Sequence, residues 1–260
     1  MKTKLALIIA ATLASGSVLA NNTAYLDLYK TSDSEVTVFQ QSPDEGNNAE
    51  IISNRVGNES VLSISQVGGE NDAKIFAVGV EDGNFSISQT GNSNEALIKT
   101  SNSPWERYSY DHDTVSITQN GDSNKSKVLL KGGTDDANVS LDVTGTLNET
   151  SVVLNRGDGS IVTGTVNGAS NMADVYVDDS FDNKITFKQT GDTNRIDLDV
   201  TGWSDDNIID IDQRGSLAAA NVSVYWGSTE NTINVTQTYG DVANVYVGAS
   251  TNNIVTVTQY

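Results

Sequence analysis

Carboxylates are abundant among the side chains of this sequence that could do chemistry. The chain has 34 Asp and Glu residues against 15 Lys and Arg, and its formal net charge is −19. Paired carboxylates flank the scissile bond in glycoside hydrolases. Here the acids recur along the whole chain, as at Asp197, Asp199, Asp210 and Asp212, and no pair is distinguished from the others. The pattern favours a solvated acidic surface, so we expect no enzyme and no catalytic residue.

Metal and cofactor sites are not indicated either. The chain contains one histidine, His112, and no cysteine, which excludes thiolate ligation and a disulfide framework. With no second ligand nearby, His112 is interpreted as a solvated loop residue. Turn acids such as Asp122 and Asp192 could hold a divalent ion adventitiously, but the Gly-Gly-x-Gly-x-Asp repeat of calcium-binding solenoids is absent. We therefore expect no metal and no cofactor.

Aromatic residues offer one further candidate. An insertion at about 101–113, SNSPWERYSYDHD, contains Trp105, Tyr108 and Tyr110, which could form a sugar-binding or partner-binding patch. The alternative is a loop that packs its aromatic rings onto the flank of the fold. Three other tyrosines, on outward strand positions, are interpreted as ordinary sheet-surface residues: Tyr176, Tyr225 and Tyr246.

The N-terminus has the pattern of a signal peptide over residues 1–20. Lys2 and Lys4 precede the apolar run Leu5–Leu13, which is short for a membrane span, and Ala20 is a small residue suited to cleavage. A membrane anchor is the alternative. No later segment is apolar enough to cross a membrane, so we expect export without a transmembrane segment. The acidic charge disfavours nucleic acid as a partner, since phosphates select Lys and Arg.

The elements that position these residues are short strands. In Asn183–Val200, NKITFKQTGDTNRIDLDV, two runs alternate apolar and polar residues with a period of two, which is typical of half-buried strands. Gly191 and Asn194 lie between the runs and indicate a turn with unusual backbone angles. The segment is thus a strand–turn–strand unit.

The unit repeats along the chain. One column holds Gln at spacings of mostly 23 or 24 residues, and Val143 and Val166 replace it in two degenerate copies. The column comprises Gln40, Gln66, Gln89, Gln119, Gln189, Gln213, Gln237 and Gln259. Glycine follows two places later and asparagine five places later, at Gly68 and Asn71, Gly91 and Asn94, Gly121 and Asn124, Gly145 and Asn148, Gly168 and Asn171, and Gly191 and Asn194.

Two all-β architectures could use these strands: an antiparallel meander or barrel, and a parallel β-solenoid with one unit per coil. The Gln column lies on the same side of each strand as the Ile and Val columns, so it points inward. An isolated buried amide is costly, whereas stacked amides about 4.8 Å apart can bond to one another. We therefore predict an amyloid-like parallel β-solenoid of about ten coils over residues 21–260.

These columns resemble the repeats of the curlin family, the subunits of bacterial curli fibres. The curlin repeat places Ser, Gln, Gly, Asn, Ala and a second Gln at fixed spacings. The segment from Ser60 through Gln66, Gly68 and Asn71 to Ala73 fits up to the last Gln. That second Gln is replaced throughout by mostly apolar residues: Ala77, Thr100, Leu130, Leu154, Val177, Val200, Val224 and Val247.

The resemblance implies a structural subunit of extracellular amyloid fibres on the surface of a Gram-negative bacterium, acting in adhesion and biofilm cohesion. It implies as partners other copies of the chain, other curlin subunits and an outer-membrane secretion apparatus. Major, nucleating and divergent subunits remain open. The alternative function is a monomeric or capped β-solenoid adhesin on the cell surface.

The two ends of the repeat array differ from its middle. Ala24, Leu26 and Leu28 have the spacing of a second strand with no first strand before it. Val255, Val257 and Gln259 have the spacing of a first strand with no second strand after it. Stacked head to tail, the two half-coils of successive molecules would complete one coil, and strand addition would propagate a fibre.

Overall fold

The computed structural model describes residues 6–13, 21–28, 34–43, 45–53, 60–77, 80–101, 110–132, 134 and 136–260. Their regular structure is entirely β. In chain order the strands are β1 (Ala6–Leu13), β2 (Thr23–Leu28), β3 (Glu35–Ser42), β4 (Asn48–Ser53), β5 (Val61–Val67), β6 (Asp72–Lys74), β7 (Val80–Glu81), β8 (Asn84–Thr90), β9 (Glu95–Ser101), β10 (Tyr110–Asp111), β11 (Thr114–Asp122), β12 (Lys125–Lys131), β13 (Asn138–Thr146), β14 (Glu149–Asn155), β15 (Ile161–Ala169), β16 (Met172–Asp178), β17 (Lys184–Thr190), β18 (Arg195–Thr201), β19 (Ile208–Arg214), β20 (Ala219–Tyr225), β21 (Thr232–Gln237), β22 (Val242–Gly248) and β23 (Ile254–Gln259).

The strands form two long parallel sheets. The first sheet has the order β1-β3-β5-β8-β11-β13-β15-β17-β19-β21-β23, and the second has β2-β4-β6-β9-β12-β14-β16-β18-β20-β22. Successive units therefore stack as coils, each contributing one strand to each sheet. The prediction of a parallel β-solenoid is confirmed, and the antiparallel meander is excluded.

The register keeps every sequence column in line. Gln189 lies opposite Gln213, and Gln213 lies opposite Gln237. Burial alternates along the strands, so in β17 Ile185, Phe187 and Gln189 are buried while the residues between them are more exposed. One continuous core lies between the two sheets. The column that replaces the second curlin Gln is buried as well, from Ala77 to Val247.

The predicted glycine turns adopt left-handed backbone angles. Gly68, Gly91 and Gly121 have φ of 113°, 112° and 124°, and the later members of the column behave alike. A Cβ on Gly68 would also clash with the carbonyl oxygen of Gly91 in the next coil. Glycine is needed there both for φ and for the close stacking of successive turns.

The expectation that no first strand precedes Ala24 is wrong for the full chain. β1, inside the predicted signal peptide, pairs with β3, so that Ile9 lies opposite Val38 and Ala11 opposite Gln40. It takes the place of a first strand beside β2. An apolar, β-prone segment can pair with an open strand edge without carrying the repeat motif. The rest of the predicted leader, residues 1–5 and 14–20, lies outside the described residues.

The predicted insertion is described only at its ends. Tyr110–Asp111 forms β10, which pairs in parallel with β7 as a small third sheet. Residues 102–109, including Trp105 and Tyr108, lie outside the described residues, so the suggested aromatic patch stays a prediction.

Candidate functional site

The Gln column forms two ladders of buried side-chain hydrogen bonds. Three bonds join Gln40 to Gln119, with Nε2–Oε1 distances of 2.9, 2.9 and 2.8 Å. Three more join Gln189 to Gln259, at 3.0, 3.0 and 3.1 Å. In every bond the glutamine of the earlier coil donates to that of the later coil. The ladders therefore share one polarity along the solenoid axis.

Each amide also bonds to the backbone of the second sheet. Gln66 Nε2 donates to the carbonyl oxygens of Asn48 and Asn71, both at 2.9 Å. Gln213 Nε2 likewise donates to the carbonyl oxygen of Arg195 at 2.9 Å. A paired amide avoids most of the cost of losing water, so the column both satisfies itself and ties the two sheets together.

Val143 and Val166 separate the two ladders, as the sequence predicted. On one side of this gap Gln119 Nε2 donates to Ser126 Oγ at 2.9 Å, and Thr150 Oγ1 donates to the same oxygen at 2.9 Å. On the other side Gln189 Oε1 is buried without a hydrogen-bond partner. The hydroxyl groups compensate for the first break, whereas the second leaves an unpaired acceptor.

The asparagine column lies in the predicted turns and forms hydrogen bonds that were not predicted. These residues do not adopt the left-handed angles; the residues just before them do, such as Glu70 and Ser93 with φ of 56° and 55°. Asn71 instead donates from its backbone N and its Nδ2 to Asn47 Oδ1, at 3.1 and 3.0 Å. Its Nδ2 also donates to the carbonyl oxygen of Gly91 at 2.8 Å. The asparagines thus form a separate buried ladder along the first turn.

Another asparagine ladder, which was not predicted, lines the other turn. Asn207 donates from N and Nδ2 to Asn183 Oδ1 at 3.1 and 3.0 Å. Asn231 and Asn253 continue the pattern. The signal was a column of Asn six places before the Gln. Ser34, Ser60 and Ser160 occupy the same place in other coils, so the column is not uniform and predicts no single role.

The two ends of the solenoid expose the predicted half-coil residues to different extents. At one end Ala24 in β2 is exposed and Leu26 is half-buried, and the side chain of Leu28 lies outside the described residues. At the other end Val255, Val257 and Gln259 in β23 are half-buried, although their column is buried in the interior coils. These residues lie at the ends of the sheets, where a further coil could cover them.

The acidic and histidine candidates occupy structural or exposed positions. Asp122 Oδ1 accepts hydrogen bonds from N and Nδ2 of Asn92 at 2.7 and 3.1 Å, and Asp192 Oδ1 accepts from the backbone N of Ala169 at 2.8 Å. His112 is exposed, and its Nδ1 lies 3.8 Å from Asp136 Oδ1. Among the described residues no group of three His, Cys, Asp or Glu is arranged to hold a metal ion.

Several carboxylates lie close together on the outer face of the second sheet. Burial raises the pKa of Asp199, and the neighbouring carboxylates of Asp197 and Asp174 raise it further. On the same face, burial and a hydrogen bond to Asp178 raise the pKa of Tyr176. This face therefore combines carboxylates with aromatic rings.

No protein-family model matches the sequence, and neither a curated protein nor a solved structure shows significant similarity to it. The described residues include no helix with the length and hydropathy of a membrane span. Functional interpretation therefore depends on the geometry of the ladders and of the ends.

Proposed function

We propose that this protein is a structural subunit of extracellular, curli-type amyloid fibres that assembles by strand addition at the ends of the solenoid. The polarity of the Gln ladder is the observation that carries the proposal. The ladder continues to Gln259 in β23, an outermost strand of the first sheet. Gln259 Nε2 donates to the carbonyl oxygen of Val242 at 3.1 Å. An amide nitrogen has two hydrogens, so a second donor remains for a glutamine in a further coil.

A second copy without its leader would supply that coil. In the head-to-tail joint, β23 of one molecule lies beside β3 of the next, and β22 lies beside β2. The repeat register then places Gln259 opposite Gln40, with Val255 and Val257 opposite Val36 and Val38. Gln259 would donate to Gln40 Oε1, in the same sense as every other bond of the ladders. Such a contact is heterologous and does not close, which is the condition for a filament.

The biological setting of the proposal comes from the curlin resemblance. It comprises export through an outer-membrane apparatus of a Gram-negative bacterium, contact with other curlin subunits, and a role in adhesion and biofilm matrix. The predicted signal peptide and the acidic, cysteine-free composition are compatible with this extracellular setting.

Elongation from preformed seeds tests the proposal. Seeds of the chain lacking residues 1–20 are mixed with monomers of the same chain, and fibre growth is followed with an amyloid-binding dye. Gln259→Ala and deletion of residues 253–260 should each slow elongation, because both weaken the surface that meets β3. Thr258→Ala is the matched control, since Thr258 is exposed and outward in the same strand.

The proposal would be overturned if both altered chains elongate seeds at the wild-type rate. It would also be overturned if the chain without residues 1–20 remains monomeric. Amide exchange of the interior coils should be measured in each variant. Unchanged protection there shows that slower growth reflects the joint rather than a loss of folding.

A capped adhesin is the second candidate, and the position of β1 favours it. While β1 pairs with β3, the edge that would receive β23 is covered. A chain that retains residues 1–20 should therefore elongate seeds more slowly than the chain without them. If the leader-free chain also stays monomeric, the adhesin becomes the better description.

A further inference from the structure

An open groove lies on the outer face of the second sheet, near the C-terminal end of the solenoid. We call it the tyrosine groove and define it by Tyr176, Asp199, Ser223, Tyr225, Trp226 and Tyr246. The groove is shallow and open to solvent, with a volume of about 510 Å³. Its residues come from four adjacent strands, β16, β18, β20 and β22, together with the turn after β20.

One column of the sheet forms the floor and the two ends of the groove. Tyr176, Asp199, Ser223 and Tyr246 are direct neighbours in successive strands. Three strand spacings separate the two tyrosines, which is about 14 Å. The smaller Asp199 and Ser223 lie between them. The arrangement is an elongated trough with an aromatic ring at each end and polar groups in its floor.

Tyr225 and Trp226 form one side of the trough. The ring of Tyr225 lies over Gly248, where an added Cβ would come within 2.7 Å of it. Trp226 follows with φ of 58°, a left-handed conformation that is uncommon for a bulky residue. Trp226 is 77% exposed and Tyr246 is 67% exposed. The fold thus presents large aromatic surfaces to solvent at this one face.

The chemistry of the groove matches a sugar chain. Exposed aromatic rings provide flat faces on which the C–H faces of sugar rings can stack, and their polar tips remain hydrated. The carboxylate of Asp199 accepts hydrogen bonds, and the hydroxyl of Ser223 donates and accepts them. Binding sites commonly combine such aromatic surface with a few placed polar groups.

Charge restricts the kind of sugar chain. Asp174, Asp178 and Asp197 surround Asp199 on this face, and the whole chain carries −19. A uronate or sulfated polymer would be repelled by these carboxylates. The length of the trough suits an extended ligand rather than a single monosaccharide. We propose that the tyrosine groove binds an uncharged polysaccharide strand that lies along the solenoid axis.

The groove lies on the outer face of the sheet, whereas copies join at the strand edges. Of its residues only Tyr246, in β22, belongs to a strand of the proposed joint, where it would lie beside β2 of the next copy. A fibre would nevertheless repeat the groove once per subunit. Several grooves on one fibre could then engage the same polysaccharide, which increases the apparent affinity without any new contact.

Calorimetric titration of the chain lacking residues 1–20, freshly purified as monomer, tests the proposal. The probes are the neutral hexamers of β-1,4-glucose, β-1,3-glucose and β-1,4-mannose, with a glucosamine hexamer as cation and a galacturonate hexamer as anion. At least one neutral hexamer should bind. Trp226→Ala and Tyr246→Ala should each weaken that binding about tenfold, the effect of losing one stacked ring.

Tyr239→Ala is the matched control, because Tyr239 is 68% exposed but lies outside the groove. Its affinity should equal that of the wild type, and thermal unfolding of all three variants should show that they fold. The proposal would be overturned if only the cationic hexamer binds or if no neutral hexamer binds. An equal loss of affinity in Tyr239→Ala would overturn it as well. Repeating the titration with Gln259→Ala separates the groove from assembly, since the sugar affinity should not change there.

Discussion

A buried glutamine such as Gln213 gives up its hydrogen bonds to water when the chain folds. In this core it accepts one bond from Gln189 and donates to Gln237 and to the carbonyl oxygen of Arg195. The side chain is fully buried, so water cannot reach it. These three bonds therefore replace the hydrogen bonds to water that the amide loses on folding. The amide stabilises the fold only while its neighbours in the column are also amides.

Gln213→Ala should therefore destabilise the fold by about 1–3 kcal/mol, because Gln237 Oε1 and one donor of Gln189 lose their partner in a buried setting. Thr236→Ala, on the outward side of the adjacent strand, should change the stability by less than about 0.5 kcal/mol. Chemical denaturation of both variants measures the difference. Equal effects would mean that the ladder contributes nothing beyond the side-chain volume.

Asp199 should make stability depend on pH. Its pKa is raised in the folded state, so the folded chain binds this proton more tightly than the unfolded chain does. Stability is then greatest below the unfolded pKa of about 4 and falls as pH rises towards the folded value. Asp199→Asn removes the charged form, so its Tm should exceed that of the wild type at pH 7.

The advantage of Asp199→Asn should disappear at about pH 3, where Asp199 is protonated in both states. Asp142→Asn, at an exposed position of the first sheet, serves as the control for a simple change in net charge. Thermal unfolding at the two pH values decides the matter. A gain in Tm that is the same at both would show that the carboxylate is not the cause.

At the scale of strands, β13 and β15 interrupt an otherwise regular array. Val143 and Val166 lie side by side in the register, between Gln119 and Gln189. The two valines pack in the apolar core but offer no hydrogen-bond donor, so Gln189 Oε1 is left unpaired. The gap divides the amide ladder into two runs.

Replacing both valines, as Val143→Gln with Val166→Gln, should join the two runs and raise the Tm. The new amides can accept from Gln119 and donate to Gln189 Oε1, which removes the unpaired acceptor. Val175→Gln is the control, because its inward column contains no amide and the variant should lose stability. A double variant that is as unstable as Val175→Gln would show that an inward register alone does not make a ladder.

A packing pair joins the second of these coils to the next one, since Gly164 in β15 lies opposite Phe187 in β17. A Cβ on Gly164 would overlap the ring of Phe187, so the aromatic ring fills the space that glycine leaves open. The glycine is thus matched to a large neighbour and does not leave a cavity. The size of the side chain at one position therefore limits the size of the side chain at the neighbouring position in the next coil.

Gly164→Ala should destabilise the fold by about 1–3 kcal/mol through overpacking against Phe187. Phe187→Ala should cost about 3–5 kcal/mol because it opens a cavity. The double change Gly164→Ala with Phe187→Ala should lose less than the sum of its two single changes, because the added methyl group occupies part of the cavity. Denaturation of the single and double variants tests the coupling, and strict additivity would contradict the contact.

At the scale of the whole molecule, a net charge of −19 opposes the association that we propose. Stacking copies brings their carboxylates closer together, and at 0.1 M salt screens the repulsion between exposed charges that are more than about 10 Å apart. Elongation of seeds by the leader-free chain should therefore accelerate as sodium chloride rises from about 10 to about 150 mM. Asp142→Asn combined with Asp210→Asn should show a weaker salt dependence. A rate that does not change with salt would show that charge does not limit assembly.

The period, the inward side of each strand and the parallel stacking were all predictable from the sequence. In a solenoid the neighbour of any residue is the residue of the same column in the next coil. A column such as Gln189, Gln213 and Gln237 therefore reports directly on a contact in space. The glycine turns were predictable for the same reason, since one backbone requirement recurs in coil after coil.

The atoms that form the hydrogen bonds, and the contacts made outside the repeat, became known from the three-dimensional structure. Asn71 forms the ladder, whereas the left-handed backbone belongs to Glu70. The sequence of the turn does not show which of its residues adopts the left-handed conformation. Ser126 and Gly164 acquire their roles from a neighbouring coil, and β1 pairs without the motif. The tyrosine groove was not predicted either. Its rings come from separate coils and form a surface only when the sheet places them side by side.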